Sequence, residues 1–169
     1  MKVIEIKVSH YIREKCKEFA EASEESSRSH WAKREVTKKD KRLEDIYTGK
    51  MGEWGAYAYL KEIGMEVNKP DMGVYNGRGK SWDADLVDAD GNLYHCKTQS
   101  EASAKAYGTS WILQYNGSGT GHTDKLFKNQ SKYDHLIPMK LIGRTVHIHG
   151  ILKISDVFAA DMIKEPKVE

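Results

Sequence analysis

Five polar residues at two short spacings carry the chemistry available to this sequence. Asp83 and Asp85 alternate within WDADLVD (82–88), and His95, Lys97 and Gln99 alternate within LYHCKTQ (93–99). Successive side chains of a strand point to opposite faces, so each set shares one face. Between them, Asp90-Gly91 is a short-range hairpin signal, because glycine accepts the positive φ that the favoured turns require. The hairpin sets two carboxylates beside an imidazole, an ammonium and an amide. Carboxylates can hold a divalent cation, a lysine can offset developing negative charge, and a histidine with an ordinary pKa of ~6.5 can ligate or move a proton. An exposed Asp–Lys pair on an edge hairpin contributes only ~0–1 kcal/mol, so charge pairing alone does not account for the accumulation.

A second informative stretch, YTGKMGEWGAYAYLKEIG (47–64), positions another carboxylate. Met51, Trp54, Tyr57, Ala58, Leu60 and Ile63 give a helix with a broad apolar face. Gly49, Gly52, Gly55 and Ala56 permit close approach to a neighbour, and Gly64 is placed as a C′ stop. Glu53 is read in the first turns of this helix. Either a carboxylate there simply gains from the helix N-terminus, or its small neighbours let it reach a site on the sheet.

The remaining elements frame these two stretches. Residues 2–8 alternate as a short strand or lead into the first helix. Residues 10–46 are mostly helix-compatible, with a serine-rich break around Ser23–Ser29, and the thin face of Ile12, Cys16, Phe19 and Ala20 predicts packing at the domain's edge. Met65–Val67 is a candidate short strand before a loop with Gly73, Gly77 and Gly79. After the hairpin come a loop or short helix (100–109), a strand (110–115), a glycine-rich loop (116–123) and a helix capped by Thr123 or Asp124 to about Tyr133. Strands over His135–Lys140 and Arg144–Ile151 follow, then a helix over 155–163 capped by Ser155, and a tail. This order is that of a mixed α/β domain with a largely central sheet.

With 169 residues, 39% apolar and 31% charged, the chain suits one soluble domain with its own core. The net charge of +2 does not by itself announce a nucleic-acid binder. Its distribution says more: Arg28, Lys33, Arg34, Lys38, Lys39, Lys41, Arg42 and Lys50 outnumber Glu35, Asp40, Glu44 and Asp45 by four, which is either a solvated helix face or a phosphate-facing patch. Arg78 and Lys80 on the glycine-rich loop are further candidates for phosphate contact. Cys16 and Cys96 imply no disulfide framework, and no apolar run approaches the ~18 residues of a membrane span, so an intracellular protein is expected.

Taken together, the pattern resembles the PD-(D/E)XK nuclease superfamily, with its restriction-endonuclease-like fold. In that family an Asp on one strand faces an acid-x-Lys on the next, and a Glu often comes from a preceding helix. Asp85 matches the Asp, Lys97 the Lys, Glu53 the helical Glu, and Gln99 the Gln that some branches carry two residues after the Lys. The resemblance covers roughly residues 45–155. It implies a single domain with a catalytic core over 46–163 behind a helical N-terminal extension (1–45), with a central mixed sheet flanked by helices. It further implies a divalent-metal-dependent endodeoxyribonuclease of bacterial or phage type in the cytoplasm, acting on double-stranded or branched DNA, compatible with a homodimer and needing no membrane. Magnesium or manganese would be held by Asp85, Glu53, the Cys96 carbonyl and His95. Lys97 would position water or the scissile phosphate, Gln99 would orient water, and the basic 28–50 region with loop 116–123 would contact DNA.

One departure stands out: His95 occupies the position of the acid, giving HCK. Imidazole suits softer divalent ions than magnesium, so the site is expected to lean on Asp85 and Glu53, to favour manganese, or to be a catalytically weak or inactive DNA-binding form. Asp83 competes with Asp85 for the key position, and the literal Pro70-Asp71, 26 residues before Lys97, ranks third. A zinc reading from His122, His135, His147, His149 and Cys96 lacks paired ligand spacing. Ser110 or Cys96 as nucleophile lacks a partner pattern.

Overall fold

The computed structural model describes residues 2–26, 38–75, 84–111 and 133–159. Several sequence expectations fall outside them: Arg28, Lys33, Arg34, Arg78, Lys80, Trp82, Asp83, the 116–123 loop, the helix from Asp124 and the tail. Strand β1 (Ile4–Lys7) leads into helix α1 (His10–Ser26) and then the long helix α2 (Lys39–Glu62). Strands β2 (Leu86–Val87) and β3 (Leu93–Ser100) form the hairpin, followed by helix α3 (Glu101–Tyr107). Strands β4 (His135–Ile142), β5 (Thr145–Ile148) and β6 (Leu152–Lys153) and helix α4 (Ile154–Ala159) complete the described chain.

The strands make one six-stranded mixed sheet, in the order β1-β5-β4-β3-β2, with β6 also paired to β4. β3 and β4 run parallel, with Cys96 opposite Ile137 and Lys97 opposite Pro138. The other strand pairs are antiparallel. Register sorts the side chains cleanly. Tyr94, Cys96 and Thr98 share a face with Ile137, Met139, Val146, Ile148, Ile4 and Ile6, and this face makes the core with Met51, Ala56 and Leu60 of α2. His95, Lys97 and Gln99 share the other face with Leu136, Pro138, Lys140 and His147.

Helix α2 lies unusually close to the sheet. A Cβ added at Gly52 would fall 1.8 Å from Thr98 Oγ1, and one at Gly55 would fall 2.6 Å from Val146 Cβ. The glycines therefore serve contact with β3 and β5, as the sequence suggested. α2 stops where expected: Gly64 has φ +86°, and the Gly64 and Met65 N–H groups bond back to Lys61 and Leu60 carbonyls.

Several expectations need correction. The boundary expected at residue 46 does not exist, because α2 runs unbroken from Lys39; packing of its glycine face overrides low local propensity. The N-terminal segment is not a purely helical extension, since β1 forms an edge of the sheet and α1 packs on α2, with Cys16 and Ala20 buried. Of the strand expected over 82–88, residues 82 and 83 lie outside the described residues, and 84–88 are in a strand only over Leu86–Val87, with a bridge from Val67 to Asp88 beside it. α4 begins at Ile154, whose N–H bonds to the Asp134 carbonyl, so Ser155 lies inside the helix instead of capping it. The expected turns are present: Gly91 has φ +83° and Gly143 φ +56°. Ser110 and Trp111 are not in a strand. Among the described residues no helix is long and apolar enough to cross a membrane.

Alanine at Gly52 or Gly55 should destabilise the protein by about 1–3 kcal/mol in urea unfolding, because overpacking outweighs the helix-propensity gain. Gly49→Ala has open space around its new Cβ and should instead stabilise by about 0.5–1 kcal/mol. Equal stabilisation by all three would mean that α2 does not sit on the sheet as described.

Candidate active site

Asp85 stands just before β2, at the end of the paired hairpin. Its own N–H bonds to the Tyr94 carbonyl at 3.2 Å, continuing the ladder by one step. Its carboxylate then accepts the Cys96 N–H at 2.7 Å, so a side chain takes over as acceptor beyond the end of β2. The turn beyond is held by Asp88, which accepts from the Asp90 and Asn92 N–H groups, the Asn92 amide and the Tyr94 hydroxyl. This network fixes the hairpin that carries Asp85 and His95.

His95 meets Asp85 as the alternation predicts, with Nδ1 3.2 Å from Asp85 Oδ2. Its ring also lies against Tyr133, with centroids 5.1 Å apart. His95 thus addresses the carboxylate and orients it. Burial pushes the Asp85 pKa up, but the hydrogen bond and charge of His95 and the Cys96 N–H outweigh this and hold it below the ordinary value.

Glu53 is the fifteenth residue of α2, which puts it ~21 Å from the helix N-terminus at 1.5 Å per residue. The helix-terminus explanation for Glu53 therefore fails. Its carboxylate is 13% exposed and pairs with Lys50 Nζ at 2.6 Å. Burial and the charge of Asp85 push its pKa up to about 8, against the opposing pull of Lys50. The two carboxylates come from α2 and from the start of β2, and each lies within electrostatic reach of the other. Their environments drive their pKa values apart, a pattern typical of functional carboxylate pairs.

Lys50 is the residue whose place sequence reasoning missed. Expected on a phosphate-facing patch, it is instead 14% exposed inside the acidic cluster. Its Nζ lies 4.9 Å from the Phe19 ring centroid on α1. The Lys50-x-x-Glu53 spacing, neighbours on one helix face, was the available signal. Other members of the basic stretch are also committed: Arg42 pairs with the buried Glu24 of α1, and Lys41 with Asp45 at 2.7 Å. Lys38 and Lys39 are exposed. Asp71 also reaches Glu53 electrostatically, and Trp54 Nε1 bonds Met72 Sδ at 3.5 Å, tying this segment to α2.

Lys97 is half-buried on the His95 face of β3. Gln99 is buried, and both ends of its amide are used: Nε2 donates to the Gly108 carbonyl at 2.8 Å and Oε1 accepts the Ser110 N–H at 3.3 Å. It therefore clamps the chain leaving α3, where orientation of a water had been expected. Both cysteines are free thiols. Cys96 is raised well above the usual thiol range by burial and by Asp85 and Glu53, which disfavours it as a nucleophile.

Among the described residues no three His, Cys, Asp or Glu side chains are arranged to hold a metal ion together. Magnesium needs fewer, since it keeps several waters and takes one or two carboxylates plus substrate phosphates. Asp85 and Glu53 supply hard-oxygen donors of the chemical type that magnesium or manganese takes. Comparisons with protein-family models, curated proteins and solved structures return no match.

The raised Glu53 pKa gives a stability term that is full below the unfolded carboxyl value and is lost as pH rises through about 8. Wild-type stability should fall over this window by up to ~1.4 kcal/mol per pH unit relative to Glu53→Gln. Asp85→Asn should shrink the fall, since it removes the second cause. Urea unfolding at pH 5, 7 and 9 reads this out; parallel pH profiles for wild type and Glu53→Gln would refute the pairing.

Proposed function

We propose that this chain is a divalent-metal-dependent DNA endonuclease with a restriction-endonuclease-like core. The observation that carries the reading is the electrostatic meeting of Glu53, from the middle of α2, with Asp85 at the head of the hairpin bearing His95-Cys96-Lys97. This is the arrangement the resemblance implies: an Asp at one strand, a Lys two residues along from its neighbour on the next, and a Glu from a preceding helix. Two like charges kept together under burial are destabilising, and a site that binds a cation is the natural reason to retain them.

Asp85 and Glu53 would hold magnesium or manganese, with the Cys96 carbonyl as a further oxygen. When bound, the ion supplies Lewis acidity toward a phosphate oxygen and acidifies water. Asp85 is oriented by His95 and by the Cys96 N–H, so its geometry is set before substrate arrives. Lys97 offsets negative charge growing on the scissile phosphate, a contribution of ~3 kcal/mol for one well-placed donor. His95, with Nδ1 at Asp85, also holds that carboxylate ionised and in place for the ion. Gln99 keeps the α3 exit in place behind Lys97.

A second reading has its own support. Glu53 is already paired with Lys50, and Asp85 already accepts from Cys96 and His95. These satisfied carboxylates, together with the missing acid at position 95, suit a nuclease-fold protein that binds DNA with weak or no turnover.

Plasmid incubation with magnesium, manganese or EDTA separates the two. The nuclease reading expects metal-dependent nicking or linearisation, stronger with manganese, that Asp85→Ala abolishes and Lys97→Ala lowers by about 10²–10³-fold. DNA retention should weaken steeply with salt in either case. Salt-dependent retention with no cleavage under any metal would favour the binding protein; neither cleavage nor retention would remove DNA as the partner.

A further inference from the structure

We propose that Lys50 is the built-in counter-cation of the Glu53–Asp85 pair, and that a divalent ion must displace its ammonium in order to bind. The proposal rests on the metal-site reading above and names a competitor for that site. Lys50 Nζ lies 2.6 Å from Glu53 Oε2, with both side chains largely withdrawn from solvent. The charge of Lys50 also reaches Asp85 and the Cys96 thiol. From the other side α1 places the Phe19 ring 4.9 Å from the ammonium, a cation–π contact. This lysine is therefore held by packing in the acidic cluster, whereas a surface lysine would extend its ammonium into water.

Burying an ammonium is unfavourable unless it is paired, and burying two neighbouring carboxylates is unfavourable unless a cation attends them. Lys50 meets both conditions at once. A divalent ion drawn to the same oxygens would stand within a few ångströms of the ammonium, and the two cations repel strongly at the low effective dielectric of a half-buried site. Occupation by one excludes the other. Lys50 is accordingly a positioning residue: it keeps Glu53 and Asp85 together while no metal is present, and it lowers the affinity of the site for metal.

Manganese titration of the full chain by calorimetry tests the proposal. Lys50→Met keeps the stem without the charge and should bind Mn²⁺ about tenfold more tightly. Lys50→Arg should bind as the wild type does, and Lys50→Met combined with Glu53→Gln should lose the gain. A folded Lys50→Met that binds equally or more weakly would overturn the proposal, as would absence of Mn²⁺ binding to either protein. A second measurement needs no variant: acetic anhydride labelling of wild type, read by mass spectrometry, should modify Lys50 faster with saturating Mn²⁺ than without. Unchanged or slower labelling would overturn it. Lys50 release with no DNA cleavage leaves the proposal standing and removes the nuclease reading; cleavage with unchanged labelling does the reverse.

Discussion

The seating of α2 on the sheet governs what the rest of the molecule can do. Thr98 and Val146 fill the space where side chains at Gly52 and Gly55 would stand, so helix and sheet approach along a line that passes beside Glu53. A helix held at ordinary distance would leave Glu53 in solvent, with an unremarkable pKa and no bearing on Asp85. Close contact instead withdraws the carboxylate from water and brings it under the influence of a second one. Burial, charge and the need for Lys50 all follow from that approach.

The hairpin supplies the complementary constraint. Asp85 is fixed by the Cys96 N–H on one side and the His95 ring on the other, while Asp88 organises the turn behind it. The two carboxylates thus have different supports: one rests on helix packing and the other on strand hydrogen bonding. Their separation in pKa is the electrostatic result. A protein selected only for stability would replace one of them, since like charges in a shared half-buried site oppose folding.

The sequence made the hairpin and its chemistry legible because strand alternation is a short-range property. Asp85 opposite His95, the turn at Gly91 and the α2 stop at Gly64 all depend on residues within a few positions of one another. The role of Glu53 was only half legible. Its small neighbours were visible, but the start of α2 lies at Lys39, and the polar run over 39–46 carries no boundary signal that distinguishes a new helix from a continuing one. Lys50 was misplaced for a related reason: a lysine in a basic stretch reads as solvated until the packing of α1 against it is known. Gln99 was placed on the right face, yet its partners Gly108 and Ser110 belong to a chain reversal that periodicity does not encode. β1 was legible as either a short strand or a lead into the first helix, while its position beside β5 is a long-range pairing beyond local pattern.

That last pairing shapes the order in which the molecule can be completed. β1 joins residues 4–7 to residues 145–148, so during synthesis the first strand waits for almost the last one. Closing so long a loop adds only slowly to the entropic penalty, which grows with the logarithm of its length, but such non-local contacts form late. The charged residues of the acidic cluster lie on α2 and the hairpin, within the first hundred residues, but the close approach that withdraws them from water also needs Val146 of β5. On the ribosome, these charged side chains therefore stay open to water until the later strands of the sheet emerge.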